Sequence, residues 1–399
     1  MGKESLITEN LAQKMMIITP ATTGGSWIFL HHLLEKLPSN FEIITVSLGS
    51  LDRTYRMQNR KYISIPYFNY EKYGAFITRI PILNFLFELP LLAMSSFLIL
   101  VFRPHVVIAN GFMAALGILL AAKMSRCKII VSHRGYFRNY VGTLRTRIVR
   151  KLGKYFDCIF VNSEGSKNDV ISIMDAGVID ESRILVVNHN ADEIFFQAID
   201  RDEIRTNLGV SDKFVVLFVG RIDLEKRTDL MIQVVDILKN DESFVFIFVG
   251  QGGLVPQILR LQDSLKNVRY MGRITDRASL RDIYVTADLV WSYADDTYLA
   301  RPAVESLASG TPIIVPDEVA LLLRRDKVPA HLIPSSIGWL VNTNAQDIAL
   351  RIREIKNSLI TNSMRSACKN YAIEHFSPKN LQIVVEKLLD ILSHNHCAH

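Results

Sequence analysis

The chain is poor in cysteine. Cys127, Cys158, Cys368 and Cys397 are scattered through 399 residues with no pair at metal-ligand spacing, so a reduced compartment is the simplest reading. The N-terminal MGKESLITENLAQK carries two acids and no apolar core, which excludes a secretory signal, and Leu6 breaks the N-myristoylation pattern. A membrane-spanning run is missing too. Ala75 to Phe102 is apolar, yet Glu88 interrupts it, Pro81 and Pro90 break its regularity, and its longest uncharged run, Leu89 to Phe102, has 14 residues, short of the ~20 a span needs. Acids are absent from Arg138 to Lys154, where Arg138, Arg145, Arg147, Arg150, Lys151 and Lys154 gather.

What is present describes a folded protein of two domains. The composition, 49% hydrophobic and 22% charged, argues against disorder except at the ends, and the length exceeds one ordinary core. A net charge of +6 favours anionic partners.

Short apolar runs alternate with helix-length amphipathic segments. Strands are expected at Met15 to Thr19, Phe41 to Val46, His105 to Ala109, Lys128 to Ser132, Cys158 to Val161 and Ile184 to Val187. A second series follows from Phe214, at Phe244 to Val249, Val268 to Met271, Leu289 to Ser292 and Ile313 to Val315. This alternation predicts α/β architecture with two doubly wound, Rossmann-like domains facing each other. The polar, acid-rich stretch from Ala191 to Lys213 marks the boundary, giving domains at 1–195 and 196–376. A C-terminal helix and tail, 377–399, is expected to pack back across the junction.

The segment FVVLFVGRIDLEKR, Phe214 to Arg227, is the clearest strand-loop-helix unit. Gly220 ends the strand, Arg221 and Lys226 stand in the loop, and a helix patterned by Leu230, Val234, Val235 and Leu238 is expected directly after. Loops at the carboxyl ends of parallel strands bind ligands, and N–H groups at a helix start favour anions. The alternative is a solvated turn. Asp200-Arg201-Asp202 has the D-x-D form of a metal site but lies away from a strand end, and reads as a helix cap. The tail SHNHCAH offers His394, His396, Cys397 and His399 at a terminus, and reads as disordered.

GRIDLEK at 220–226, VGQGG at 249–253, MGRI at 271–274, ADLVWSYADDTYLARPAVESLASGTPII at 287–314 and NHNAD at 188–192 together resemble the GT4-type retaining glycosyltransferases of GT-B fold. The similarity runs through nearly all of residues 15–376 and is dense in the second domain. It implies a hexosyltransferase-type enzyme of a polysaccharide or glycolipid pathway. Such an enzyme moves a sugar from a nucleoside-diphosphate donor to a glycan or lipid-linked acceptor, with retention, no metal and no cofactor beyond the donor substrate.

The same resemblance assigns roles, each beside a plainer reading. Arg221 and Lys226 meet the charge growing on the departing diphosphate, and the Gly24-Gly25 turn adds backbone donors or is simply a strand-helix turn. Arg273 and Ile274 hold the base, mostly through main chain. Glu305 accepts from the ribose diol or only complements its helix start. His133 matches the active-site histidine near the transferred sugar or is a structural histidine at a strand end; Arg134 assists it. Gly250, Gly252 and Gly253 rank as structural first, and Asn190 of NHNAD suits a left-handed backbone. The family's first Glu, eight residues before Glu305, is Thr297 here, so Asp296 is expected to serve in its place with a shorter reach. A nucleotide-sugar epimerase and a catalytically impaired nucleotide-sugar-binding protein remain alternatives. The acceptor is expected to meet first-domain loops, Leu48 to Tyr73 and Arg134 to Leu144. The basic segment, with a stripe of Leu144, Ile148 and Leu152, predicts peripheral attachment to an anionic membrane surface from the cytoplasmic side, and no nucleic acid partner is expected.

Overall fold

The computed structural model describes residues 13–20, 25–48, 60–65, 81–133, 144–174, 179–293, 299–316, 333–358 and 360–393. The chain divides into two compact units, one of Met1–Val187 with Leu381–His399 and one of Asn188–Asn380.

The first unit is built on a parallel sheet of β1 (Gln13–Thr19), β2 (Phe41–Leu48), β3 (Lys61–Ile65), β4 (Val106–Asn110), β5 (Lys128–His133), β6 (Cys158–Val161) and β7 (Ile184–Val186), ordered 3-2-1-4-5-6-7. The strands read as continuous apolar runs because helices cover both faces. Along β1, Met16 and Ile18 enter one core while Met15 and Ile17 enter the other. The edge strand β3, KYISI, was not legible as a strand: none of its residues is fully buried.

The apolar stretch forms one helix, Pro81–Phe102, through both prolines. Pro81 is its first residue, where a missing N–H costs nothing, and Pro90 forfeits a single ladder bond. Burial of Leu91, Leu92 and Ile99 on the sheet offsets that loss. Among the described residues, no helix is long and apolar enough to cross a membrane. The basic segment forms Leu144–Leu152, with Val149 buried in the core and Leu152 packed against it.

The C-terminal helix, Gln382–Ser393, belongs to this unit. Val384, Val385, Leu388 and Leu392 complete the core that holds Trp27, Leu30 and Leu33 of the helix Gly25–Lys36.

The second unit carries β8 (Phe214–Val219), β9 (Phe244–Val249), β10 (Val268–Tyr270), β11 (Leu289–Trp291), β12 (Ile313–Pro316) and β13 (Gly338–Val341), all parallel and ordered 10-9-8-11-12-13. Val215 and Leu217 face one core, Val216 and Phe218 the other. Residues 188–195 lie with this unit: Ala191 N–H donates to the Phe376 carbonyl at 3.0 Å, and Phe195 is wholly buried in its core.

At the amino end of β11, Asp288 binds three arginines. Arg201 and Arg365 reach Oδ1 at 2.5 and 3.1 Å, and Arg205 reaches Oδ2 at 3.1 Å. Burial, with Arg201 close by, lowers the Arg365 pKa to about 10. The D-x-D triplet sits here as a cap: Asp200 Oδ1 accepts from the Asp202 and Glu203 N–H groups at 3.0 and 3.2 Å.

Candidate active site

Both sheets reverse strand order once, between β1 and β4 and between β8 and β11, and the carboxyl ends of strands at such points are where open α/β sheets take ligands. In the second unit, three loops at those ends are bound to one another. Gly220 N–H donates to the Val249 carbonyl, Ile222 N–H to Gln251 at 2.8 Å, Leu254 N–H to Ile222 at 2.9 Å, and Gly250 N–H to Gly272 at 2.8 Å. Tyr270 Oη closes the lacing on the Gly250 carbonyl at 2.9 Å. A Cβ on Gly250 would stand 1.8 Å from the Gly220 oxygen, and one on Gly252 2.3 Å from the Ile222 oxygen. These glycines let backbones touch.

The loop Gly220 to Lys226 is shaped from within. Asp223 Oδ1 accepts from the Lys226 N–H at 3.1 Å and caps a 3-10 turn, Leu224–Lys226. Arg227 then turns left-handed at φ 49°, and the helix Thr228–Leu238 follows. The helix therefore starts directly after the loop, two residues before Leu230, as its apolar periodicity predicts. The Thr228 N–H is also taken, by the Asp223 carbonyl at 3.3 Å. With these donors engaged within the chain, side chains carry much of the loop's capacity for an anion.

Of those side chains, Arg221 donates to Glu225 and lies 3.5 Å from Asp223 Oδ2, half exposed. Exposed pairs of this kind contribute about 0–1 kcal/mol, so little opposes their exchange for a phosphate. Lys226 is half-buried, Arg273 is exposed after Gly272, and Ile274 packs on the core, anchoring that loop.

Glu305 is 3% exposed on the helix Arg301–Ala308. Its Oε1 accepts from Arg277 Nη2 at 2.5 Å and Arg301 Nε at 2.7 Å, and its Oε2 from Tyr284 Oη at 3.0 Å. Asp192 joins the same two arginines, with Oδ2 2.5 Å from Arg277 Nε and Oδ1 2.9 Å from Arg301 Nη2. Two carboxylates and two guanidiniums thus form a closed, charge-balanced ring, and Arg277 also lies 4.6 Å from the centre of the Phe195 ring. Burial works to lower the Arg277 pKa, but Glu305 and Asp192 outweigh it and raise it. Burial, then Glu305, pushes the Tyr284 hydroxyl well above its usual range.

The ring holds Glu305 in one orientation with three of roughly four acceptor sites used. Sequence reasoning missed Arg277, Arg301 and Tyr284. Arg301 was findable as the i−4 partner of Glu305 on a helix; Arg277 is 85 residues from Asp192 and carried no signal. Asn190 is not among the non-glycine residues with positive φ. Its segment is held instead by the tertiary bond from Ala191 to Phe376.

In the first unit, His133 ends β5. Its ring meets Phe112 edge-on, centroids 4.9 Å apart, and Phe112 follows Gly111, which bonds Ser132 at 2.9 Å. The switch point beside it is tied by Asn110 Nδ2 donating to Thr19 Oγ1 at 3.0 Å, a pair sequence reasoning did not single out. Gly25 opens the helix Gly25–Lys36. Gly24, Arg134, Asp296, Thr297, Arg138, the terminal histidines with Cys397, and most of both expected acceptor loops lie outside the described residues.

Residues 200–375 match the family model for glycosyl transferases group 1. The chain is 30% identical over 167 residues to a D-inositol 3-phosphate glycosyltransferase of Mycobacteroides abscessus, spanning 40% of this chain and 36% of that protein. It is 26% identical over 222 residues to the alpha-monoglucosyldiacylglycerol synthase of Acholeplasma laidlawii, spanning 51% and 56%. The chain therefore spans about a third to about half of the length of these relatives. Among solved structures, Anabaena HepE in complex with UDP matches with a TM-score of 0.71 at 16% identity, covering 95% of this chain and 100% of that one. This whole-chain likeness gives the fold as the two-sheet GT-B type.

Proposed function

We propose that this chain, whose second unit belongs to the group 1 glycosyl transferases, moves a hexosyl group from a nucleoside-diphosphate sugar to a glycan or lipid-linked acceptor. Anomeric configuration is retained and no metal is needed. Three laced loops within the family-matched residues carry this assignment, because they fix cationic side chains at the carboxyl ends of adjacent parallel strands. Support for the donor class comes from HepE, solved with UDP and with UDP-glucose. A lipid-linked acceptor at an anionic membrane surface, reached from the cytoplasmic side, has support from the diacylglycerol-linked name of one relative and from the basic helix Leu144–Leu152.

In this mechanism, Arg221 and Lys226 are assigned to the charge on the leaving diphosphate, Arg273 and Ile274 to the base, and Glu305, through its remaining acceptor site, to the ribose. The roles of the Gly24-Gly25 turn toward phosphate and of His133 and Asp296 toward the transferred sugar are assigned from the family resemblance. Thr297, standing where the family has Glu, favours a second reading, a nucleotide-sugar-binding protein with impaired turnover. Purified protein with a panel of nucleotide sugars, with and without EDTA, decides. Nucleotide release stimulated by glycan or lipid acceptors and insensitive to EDTA is the expected result. Tight binding without turnover would replace it with the second reading, isomerised donor without acceptor would mean an epimerase, and loss of activity in EDTA would refute the metal-free step.

A further inference from the structure

The helix Pro81–Phe102 buries one face and leaves another apolar face in solvent. From residue 88 onward Leu91, Leu92, Ser95 and Ile99 point into the core. Leu89, Ala93, Met94, Phe97, Leu100 and Val101 are exposed at helical spacing, Phe97 to 60% and Val101 to 65%. The short helix Leu119–Met124 lies alongside: Ser125 Oγ donates to the Ile99 carbonyl at 3.3 Å, and Gly117 lies so close to Leu92 that a Cβ would come within 2.6 Å of it. That second helix adds Leu120, 73% exposed, and Met124, 67% exposed. A contiguous exposed apolar surface of this kind marks a docking site.

The rim is cationic. Lys123 Nζ lies 3.2 Å from the centre of the half-exposed Tyr155 ring, and Lys154 Nζ 5.2 Å from it, so Tyr155 joins the apolar face to the basic helix Leu144–Leu152 and its exposed Arg147, Arg150 and Lys151. Arg103 and Arg126 end the two apolar helices, both exposed. Residues 72–156 contain thirteen lysines and arginines and one acid, Glu88, which is buried. A chain of net charge +6 thus concentrates about twice that charge in about a fifth of its length.

We infer that this face is a monolayer-insertion surface: Phe97, Val101, Leu120 and Met124 enter the acyl boundary of an anionic bilayer while Arg103, Lys123, Arg126 and the basic helix bind its phosphate headgroups. A second copy of the chain docked face to face would set these cations against each other. A nucleic acid would offer nothing to the aliphatic stripe. An anionic lipid surface satisfies both parts at once, since amphipathic attachment scales with buried apolar area plus attraction to anionic headgroups. The assignment rests on the membrane-associated form of the proposed function and names its contact surface.

The test is co-sedimentation of the full chain with vesicles of 30 mol% phosphatidylglycerol in phosphatidylcholine, against phosphatidylcholine alone. Wild type is expected to prefer the anionic vesicles at least tenfold. The triple variant Phe97→Gln, Val101→Gln, Leu120→Gln is expected to lose at least tenfold in binding, with melting temperature and nucleotide-sugar turnover unchanged. Phe97→Trp is expected to be quenched by bromolipids beyond the wild-type background. Absence of wild-type binding, full binding by the triple variant, no added quenching, or a dimer in sedimentation that the triple variant abolishes would each overturn the assignment. Vesicle binding without any donor turnover would instead defeat the glycosyltransferase reading and leave this surface standing.

Discussion

Replacing Glu305 with Gln removes one of the two carboxylates that balance Arg277 and Arg301. Its Oε1 then holds two guanidiniums without charge, and the new amide N–H₂ faces the Tyr284 hydroxyl, so a charge-balanced ring becomes net positive. Removing one partner of a buried pair costs about 3–5 kcal/mol. Glu305 is 3% and Arg301 12% exposed by side chain, but Arg277 is 28% exposed and can reach water, which places the loss near the low end, about 3 kcal/mol. For a unit of this size that corresponds to a melting temperature lower by about 6–12 °C. Urea unfolding measures the first figure, calorimetry the second, and titration of the folded variant with nucleoside diphosphate reads the ribose contact separately. A loss below about 1 kcal/mol would show that the ring does not stabilise the fold. Unchanged nucleotide affinity in folded Glu305→Gln would confine the residue to structure.

Arg221→Ala and Lys226→Ala are each expected to lower kcat more than they raise the donor KM, by a transition-state cost on the order of 3 kcal/mol; steady-state kinetics with wild-type turnover at saturating donor would refute the clamp. Asp296→Ala is expected to reduce turnover or sugar selectivity more than Thr297→Ala, and equal, near-neutral kinetics would show that neither stands in for the family's Glu. Gly250→Ala sets a Cβ 1.8 Å from the Gly220 oxygen at a φ of 143°, so strain and overpacking together are expected to cost about 3 kcal/mol in urea, and a change under about 0.5 kcal/mol would be inconsistent with the laced loops. Burial raises the Cys127, Cys158 and Cys368 thiols to about 12 from 9.0. Between those values the unfolded chain has released protons that the fold retains, so stability is expected to fall as pH rises from about 9 to about 12, with these three thiols unreactive to iodoacetamide in the native chain below that window; rapid native labelling of Cys127, Cys158 or Cys368, mapped by peptide so that Cys397 is read apart, would contradict the burial.

Strands such as FVVLFV and FVFIFV were legible because burial on both faces demands uninterrupted apolar residues, whatever their neighbours. The loop glycines were legible for a similar reason: backbones that touch at a strand end leave no room for a side chain. Residues 61–65 and 338–341 escaped notice, since an edge strand needs a neighbour's register more than a pattern of its own. The helix through Pro90 also defied local rules, because core packing outweighs one lost hydrogen bond. Only tertiary structure brought Asp192 and Arg277 to the helical pair of Arg301 and Glu305, across separations of 28 residues for Arg277 to Glu305 and 109 for Asp192 to Arg301 that leave no periodic trace. Only it decided which face of an all-round apolar helix is buried: periodicity marks a buried side by contrast with a polar one, and between Leu89 and Phe102 there is no charge to supply that contrast.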